Sequence, residues 1–210
     1  MAKELNIKNA QLVKGEEVTI KGKLGFTKYL TRVLEGKELE EVVAKRQYAT
    51  ETPHYEGTIT EPKIIAKEKG KPTDAEKVIA GRIFESGKDE DNKVPTLSLE
   101  KKVNKEGKGQ ITFGVKREDG LIHKVDLQGK SLLQGQDVTV TYVTREYEYK
   151  GKKGLSLFLD TIVFEKEPEL YKAQPRKGWA SNDEEPVTEE TPAEEAEAAE
   201  SGEGAASVWD

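Results

Sequence analysis

The sequence contains no cysteine, and only two histidines and one methionine occur among its 210 residues. Without cysteine there can be no disulfide bond and no thiolate metal site. His54 and His123 lie far apart in the sequence, so a zinc site built on histidine and carboxylates is not expected. We therefore predict neither a metal nor a cofactor, and we expect both histidines to be surface residues or hydrogen-bonded structural residues.

Long hydrophobic runs are absent as well. No stretch approaches the roughly 18 apolar residues of a membrane-spanning helix. The first five residues, MAKEL, do not begin the apolar core of a signal peptide. We therefore expect a cytoplasmic protein without a membrane partner.

The sequence motifs of common enzyme classes are also missing. The patterns GxxxxGK[ST], GxGxxG and HExxH do not occur. Glycine–lysine clusters at residues 107–109 and 151–154 fall in predicted hairpin turns and not at a helix N-terminus, which weakens a phosphate-loop interpretation. Carboxylates are plentiful, but no spacing singles out an acid–base pair. We therefore predict that the protein is not an enzyme.

Positive charge is absent from the end of the chain. Residues 181–210 contain eleven of the 40 acidic residues and none of the 34 lysines and arginines. Residues 1–180 therefore hold 34 basic and 29 acidic residues, a net charge of +5, although the whole chain carries −6. A basic body with an acidic tail suggests a polyanion-binding domain that carries an interaction segment.

The chain divides into three predicted parts. Residues 1–167 form the domain, residues 168–180 are a linker marked by Pro168, Pro175 and Gly178, and residues 181–210 are a disordered acidic tail. The tail has almost no apolar surface to offset the entropy of ordering it. It ends near Trp209, and a hydrophobic residue flanked by negative charge is a suitable docking peptide for a partner protein. The same tail is suited to fold back on a basic groove of the body and compete with nucleic acid.

Alternation of apolar and polar residues dominates the first part and predicts an antiparallel β-protein. The first strand begins near Glu16 and extends to Tyr29, with four inward residues, Val18, Ile20, Leu24 and Phe26. The clearest hairpin joins a strand over Val138–Tyr149, with Val138, Val140 and Tyr142 inward, to a strand over Leu155–Phe164. Seven or eight strand candidates and one short helix, between Glu35 and Gln47, favour an all-β, mainly antiparallel barrel or sandwich.

Other segments carry more local predictions. We predict a strand that is apolar on both faces over Lys77–Phe84, and hairpin turns at residues 104–109 and 118–120. Pro62 keeps the extended segment Glu56–Ala66 from a central position in the sheet, because proline cannot donate a ladder hydrogen bond.

The tip of the clearest hairpin is both basic and aromatic. Tyrosine rings stack on bases, each worth roughly 1–3 kcal/mol, while lysine and arginine neutralise phosphates. This pattern favours single-stranded nucleic acid, although a solvated hairpin with paired aromatics has the same composition. The predicted site residues here are Arg145, Tyr147, Tyr149, Lys150, Lys152 and Lys153.

A second basic surface follows the first strand, and a barrel could place it beside the hairpin. Its predicted site residues are Lys21, Lys23, Lys28, Tyr29 and Arg32. The alternative is a solvated strand face.

The remaining aromatic residues divide between core and surface. Tyr48 and Tyr55, in a polar segment after the helix, are predicted secondary stacking sites. We expect Phe84, Phe113 and Phe164 in the core, whereas the pattern leaves the face of Phe158 open.

Three segments together resemble the single-stranded DNA-binding proteins encoded by bacteriophages, which combine an OB-fold with an acidic C-terminal tail. They are GKSLLQGQDVTVTYVTREYEYKGKKGLSLFLDTIVFE (residues 129–165), VTIKGKLGFTKY (residues 18–29) and the tail. This tail ends on Val-Trp-Asp and not on phenylalanine. The strand candidates exceed the five of a minimal OB barrel, which implies insertions around residues 35–75.

The resemblance implies an OB-fold-like barrel with extra strands that coats exposed single-stranded DNA during phage replication, recombination or repair, in the host cytoplasm. Binding would be sequence-tolerant, because it rests on phosphate charge and base stacking. In that family the tail recruits replication proteins such as polymerase and helicase. The corresponding partner-binding residues here are Glu194, Glu195, Glu197, Trp209 and Asp210.

Other functions stay open at this point. A β-domain adaptor without a nucleic-acid role, whose acidic tail docks a protein partner, has the same charge distribution. RNA is not separated from DNA, because recognition of the 2′-hydroxyl depends on local geometry. Formation of a homo-oligomer is open as well.

Overall fold

The computed structural model describes residues 10–46, 49–87, 92–103, 109–149 and 151–171. Within these residues the chain forms nine strands and two short helices. They are β1 (Glu17–Leu24), β2 (Tyr29–Leu34), α1 (Gly36–Lys45), β3 (His54–Ile65), α2 (Asp74–Ala80), β4 (Ile83–Ser86), β5 (Val94–Lys102), β6 (Thr112–Lys116), β7 (Ile122–Lys124), β8 (Asp137–Tyr149) and β9 (Lys152–Phe164). In the part of the chain so described, neither helix is long and apolar enough to cross a membrane.

The strands form one curled sheet in the order β4-β5-β3-β1-β8-β9-β6-β7, and β2 pairs with β3 beside this path. Because β5 also contacts β9, the strands β1, β3, β5, β8 and β9 surround one core as an OB-fold-like barrel. The pairs are antiparallel except that of β6 with β9. The predicted all-β, mainly antiparallel barrel with extra strands is confirmed. Part of the added structure falls in residues 35–75, while β6 and β7 lie outside that region.

The core of the barrel follows the predicted alternation on β1 and β8. Val18, Ile20 and Leu24 are at most 1% exposed, and the inward residues Val138, Val140 and Tyr142 of β8 are also buried. Burial of each such side chain is worth roughly 1.5–3 kcal/mol. The helix expected between Glu35 and Gln47 is confirmed as α1, and it packs Leu39 into a second, smaller cluster with Tyr29 and Leu34.

The first strand is shorter than predicted. β1 ends at Leu24, and the chain turns before it continues as β2. At Gly25 the backbone approaches β3 so closely that a Cβ atom would lie 2.5 Å from Thr58 Oγ1, the oxygen that accepts the Phe26 N–H at 2.7 Å. Tyr29 therefore belongs to β2 and not to the outer face of β1.

The strand predicted over Lys77–Phe84 is wrong, because helix α2 occupies its first half and only Ile83 and Phe84, in β4, are extended. Thr73 and Glu76 form a capping box, in which the Thr73 side chain accepts from the Glu76 N–H and Glu76 Oε2 accepts from the Thr73 N–H. This reciprocal pair satisfies helix N-terminal donors that would otherwise be unpaired. Ala75, Val78 and Ile79 are buried at helical spacing.

The expectation that Pro62 keeps its strand from the centre of the sheet is also wrong, since β3 lies between β1 and β5. Pairing with β5 ends at Thr60, however, and the pairing with β1 shifts register just beyond it, between Lys21 and Lys23. Glu61 adopts a φ of 51° there. The proline is tolerated because it lies in an irregular segment with one neighbouring strand.

The two predicted turns have different outcomes. The turn at residues 118–120 is confirmed: it joins the antiparallel strands β6 and β7, and Gly120 has a φ of 76°. The hairpin predicted around residues 104–109 is wrong, because β5 pairs with β3 and β4 whereas β6 pairs with β9 and β7. Residues 104–108 themselves lie outside the described residues.

The last described residues run along the loop that precedes β8. Leu170 forms a bridge with Leu132, and the Tyr171 N–H donates to Ser131 O at 2.7 Å. Gln136 holds the same segment, because its Oε1 accepts from the Glu169 N–H at 2.6 Å. The last described residue, Tyr171, therefore lies beside the loop that leads into β8.

Candidate nucleic-acid interface

The hairpin is formed by β8 and β9, which at 13 residues each are the longest strands among the described residues. Its pairing continues to the closing pair Tyr149–Lys152, and Gly151 in the turn has a φ of 74°, which glycine adopts without strain. β1 accompanies β8 only as far as Val143, so the outer part of the hairpin extends past β1. The predicted hairpin and its inward face are confirmed.

Tyr147 is fixed on the surface of this hairpin. It pairs across the strands with Gly154, and a Cβ atom at Gly154 would lie 2.9 Å from three atoms of the tyrosine side chain. The ring therefore packs against the backbone of the opposite strand, while 44% of the residue stays exposed. A ring held in this way loses little entropy when a base stacks on its free side.

A cavity of about 600 Å³ lies between β5 and the hairpin. We call it the hairpin groove. Its chemistry comes from four cations, Arg82, Lys101, Lys102 and Arg145, and from the side chain of Phe158, which is 37% exposed. Phe158 lies opposite Val143 on the hairpin face that also carries Arg145 and Tyr147.

The groove is lined by four cations and only two carboxylates. Among the described residues, Arg82, Lys101 and Lys102 have no carboxylate within ion-pair distance. The two glutamates that line the groove have other partners: Glu146 pairs with Lys14 at 3.0 Å, and Glu100 accepts from a threonine hydroxyl at 3.0 Å. The groove is therefore suited to an anionic ligand.

Lys101 is the most constrained of these cations. It follows Leu97 and Leu99 on the inward side of β5, and its Nζ donates to Gln110 O at 2.8 Å. Burial lowers the pKa of the Lys101 ammonium, the Asp160 carboxylate raises it in part, and Arg145 lowers it further. A phosphate in the groove would supply the negative charge that stabilises this cation.

The structure does not bring the first-strand lysines to the hairpin tip. Lys21 pairs across the sheet with Thr139, near the start of β8, about 20 Å from Arg145 at roughly 3.3 Å per residue. Lys21 and Lys23 each lie 3.8 Å from a glutamate carboxylate. Their positive charge is therefore largely balanced locally, unlike that of Arg82, Lys101 and Lys102.

Tyr29 is not available for base stacking, which corrects its predicted role. It is 5% exposed, because Phe26 packs on it with ring centroids 5.8 Å apart and α1 covers the same cluster. Lys28 and Arg32 lie 4.8 and 4.9 Å from the ring centroid. Both cations also pair with Glu38, whose pKa they hold below its usual range, chiefly through the Arg32 hydrogen bond.

Three other aromatic and histidine predictions can be compared with the structure. Tyr55 is 5% exposed in the barrel core, where burial raises its pKa, so its predicted stacking role is wrong. Phe84 is 47% exposed on β4 and not in the core, because that segment is an edge strand, whereas Phe113 and Phe164 are buried as predicted. His54 is buried and hydrogen-bonded to Thr52 O at 2.7 Å, as expected.

The remaining predicted site residues lie either at the hairpin tip or outside the described residues. Lys152 and Lys153 lie exposed on β9, and Lys153 is 3.8 Å from Glu148. The residues that lie outside the described residues are Tyr48, Lys150, Glu194, Glu195, Glu197, Trp209 and Asp210, together with the side chain of Tyr149 and the acidic tail.

Sequence reasoning missed four groove residues, Arg82, Lys101, Lys102 and Phe158. The adjacent lysines at the end of a predicted strand were a weak signal, since Lys101 falls on the inward phase where an apolar residue is expected. Phe158 alternates with Leu157 and Leu159, so no periodicity identified its face.

Neither a family model nor a curated protein matches the chain. Solved structures to which the chain shows some similarity include the single-stranded DNA-binding protein from bacteriophage Enc34, with a TM-score of 0.35 and 13% identity over 78% of this chain and 91% of that one. The same phage protein in complex with ssDNA gives a TM-score of 0.33 and 14% identity over 78% and 97%. The gp2.5 single-stranded DNA-binding protein of bacteriophage T7 gives 0.35 and 13% over 80% and 97%.

Proposed function

We propose that the protein is a non-enzymatic, sequence-tolerant single-stranded DNA-binding protein that coats exposed strands in DNA replication, recombination or repair. The observation that carries this proposal is the hairpin groove, which places four cations beside the exposed ring of Phe158, with the exposed Tyr147 further along the same hairpin face. Cations that follow the phosphates and rings that stack on bases are the two elements of single-strand binding.

The position of the groove supports the same function. OB-fold barrels bind oligonucleotides on the face of their second and third strands and at the loops between strands 1 and 2 and between strands 4 and 5. The five barrel strands here are, in chain order, β1, β3, β5, β8 and β9. The second and third are therefore β3 and β5, and the loop between the fourth and fifth is the turn of the β8–β9 hairpin. The groove lies between β5 and this hairpin.

The cationic and aromatic side chains of the hairpin follow one another along the direction of its strands. Phe158, Arg145 and Tyr147 follow one another on cross-strand pairs of the same face, and the two rings are separated by about 13 Å at roughly 3.3 Å per residue. Bases that stack on both rings would bring an intervening phosphate near the Arg145 guanidinium. Stacking does not depend on base identity, so this arrangement accounts for sequence-tolerant binding.

In this proposal the acidic tail has two roles: it competes with DNA for the groove, and it is a docking peptide for replication proteins. The chain beyond Tyr171 comprises 39 residues, and a flexible chain of that length has a root-mean-square span of about 34 Å. The described chain ends at Tyr171, beside Ser131 in the loop before β8, and β8 runs about 26 Å from its start to Arg145 at roughly 3.3 Å per residue. The groove is thus within reach of its own tail, and Trp209 supplies the apolar contact for a partner.

Removal of residues 181–210 should raise the affinity for oligo-dT about tenfold at low salt. This is the effect expected of a tethered competitor at about 1 mM effective concentration with a dissociation constant near 0.1 mM. Gel-shift titrations of the full and truncated chains measure it, and a tail with all eleven acids replaced by glutamine controls for length. Equal affinities at low salt would refute the competition, and a failure of both chains to bind would refute the proposed function.

A further inference from the structure

Asp160 lies on a β-bulge within the hairpin. Thr141 pairs with Thr161, whereas the next residue of β8, Tyr142, pairs with Leu159. Asp160 is therefore an extra residue of β9 that has no cross-strand partner. Bulges commonly occur where a side chain is re-aimed beside a functional site.

The carboxylate of Asp160 points at the cations of the hairpin groove. It forms an ion pair with Arg145 through Oδ1, and the Thr161 hydroxyl donates to Oδ2 at 2.9 Å. Its charge also reaches Lys101, where it opposes the effect of burial on the pKa of the ammonium. One carboxylate thus acts on two of the four groove cations.

We propose that Asp160 is a built-in competitor for the phosphate that the groove binds: its carboxylate pairs with Arg145 and attracts Lys101 at longer range in the free protein, and it is exchanged for a phosphate when a strand binds. This inference rests on the proposed function. A carboxylate and a phosphate both accept paired hydrogen bonds from a guanidinium, so Arg145 keeps its bonds during the exchange. A strand that contacts several cations displaces the carboxylate more readily than a lone small anion does, which gives the groove selectivity for polyanions.

Asp160→Asn tests this proposal, because it keeps the size of the side chain and removes its charge. Affinity for a labelled oligo-dT should rise about fivefold near 0.1 M salt, the increment for one additional phosphate contact on a single strand. Inorganic pyrophosphate should displace the oligonucleotide from the variant at a lower concentration than from the wild type. The matched control is Asp137→Asn, an exposed aspartate at the opposite end of β8, which should leave the affinity unchanged.

An unchanged or reduced affinity of Asp160→Asn would overturn the proposal, since a carboxylate that only orients Arg145 gives that result. Thermal unfolding establishes whether the variant is folded. If Asp160→Asn does not fold, Asp160→Ser is used for the same test. In an Arg145→Gln background the gain from Asp160→Asn should shrink, and an undiminished gain would contradict the exchange. A wild type that binds no oligo-dT overturns both this inference and the proposed function, whereas a binding wild type with an insensitive Asp160 overturns this inference alone.

Discussion

Replacement of Arg82, Lys101 and Lys102 by glutamine should weaken binding to single-stranded DNA about 100-fold at 0.1 M salt. Each phosphate contact on a single strand contributes a salt slope of about −0.7, so three contacts correspond to roughly two orders of magnitude at that salt concentration. These cations have no carboxylate partner among the described residues, so their charge is available to the ligand. Fluorescence anisotropy of a labelled oligo-dT measures the loss.

The matched control removes three lysines of β1 and β3 that lie beside the start of β8. Lys21, Lys23 and Lys63 line a second cavity together with three acidic residues, and their triple glutamine variant has the same net charge as the groove variant. Its affinity should fall less than about fivefold, the value of one phosphate contact. Equal losses in both variants would mean that overall charge, and not the hairpin groove, determines binding.

Tyr147→Ala combined with Phe158→Ala should also weaken binding about 100-fold, without a change in salt dependence. Stacking of one base on an aromatic side chain is worth roughly 1–3 kcal/mol, so two rings at the lower half of that range account for about 3 kcal/mol. Both rings are exposed, so the fold should tolerate the substitutions. Titration at several salt concentrations separates this loss from a loss of charge. Tyr171→Ala, which removes an exposed tyrosine far from the hairpin tip, is the control.

Gly154→Ala tests the position of the Tyr147 ring in an independent way. The new methyl group would lie 2.9 Å from the tyrosine side chain, so the ring has to move, whereas Gly154 has no positive φ that would strain alanine. The variant should lose about tenfold in affinity, the share of one stacked base. In a Tyr147→Ala background the same substitution should have no effect, and an additional loss there would show that Gly154 acts by another route.

The sequence predicted those elements whose burial is visible in local alternation. β1, β8 and β9 face a single core, so their inward residues alternate with polar ones, and the hairpin tip with Arg145 and Tyr147 follows from that phase. The helix α2 was missed because its apolar residues and those of β4 together imitate a strand that is apolar on both faces. The capping box at Thr73 and Glu76 was the signal that distinguishes the two.

The groove could not be predicted from the sequence, because its residues become neighbours only when β5 contacts β9 and the barrel closes. Lys101 on β5 and Phe158 on β9 are far apart in the sequence, and they line one cavity because β5 curls against β9. The errors at Tyr29 and Tyr55 have a related cause. Whether a tyrosine near a basic strand is exposed depends on what the inserted elements cover, and α1 with β2 covers Tyr29.

The salt dependence of oligo-dT binding by the full chain tests the central claim most directly. If the four groove cations each contact one phosphate, a plot of log affinity against log salt should have a slope near −3, so affinity falls about 50-fold between 50 and 200 mM salt. A slope near zero, or no binding at the lowest salt concentration, would contradict the assignment of the hairpin groove to single-stranded DNA.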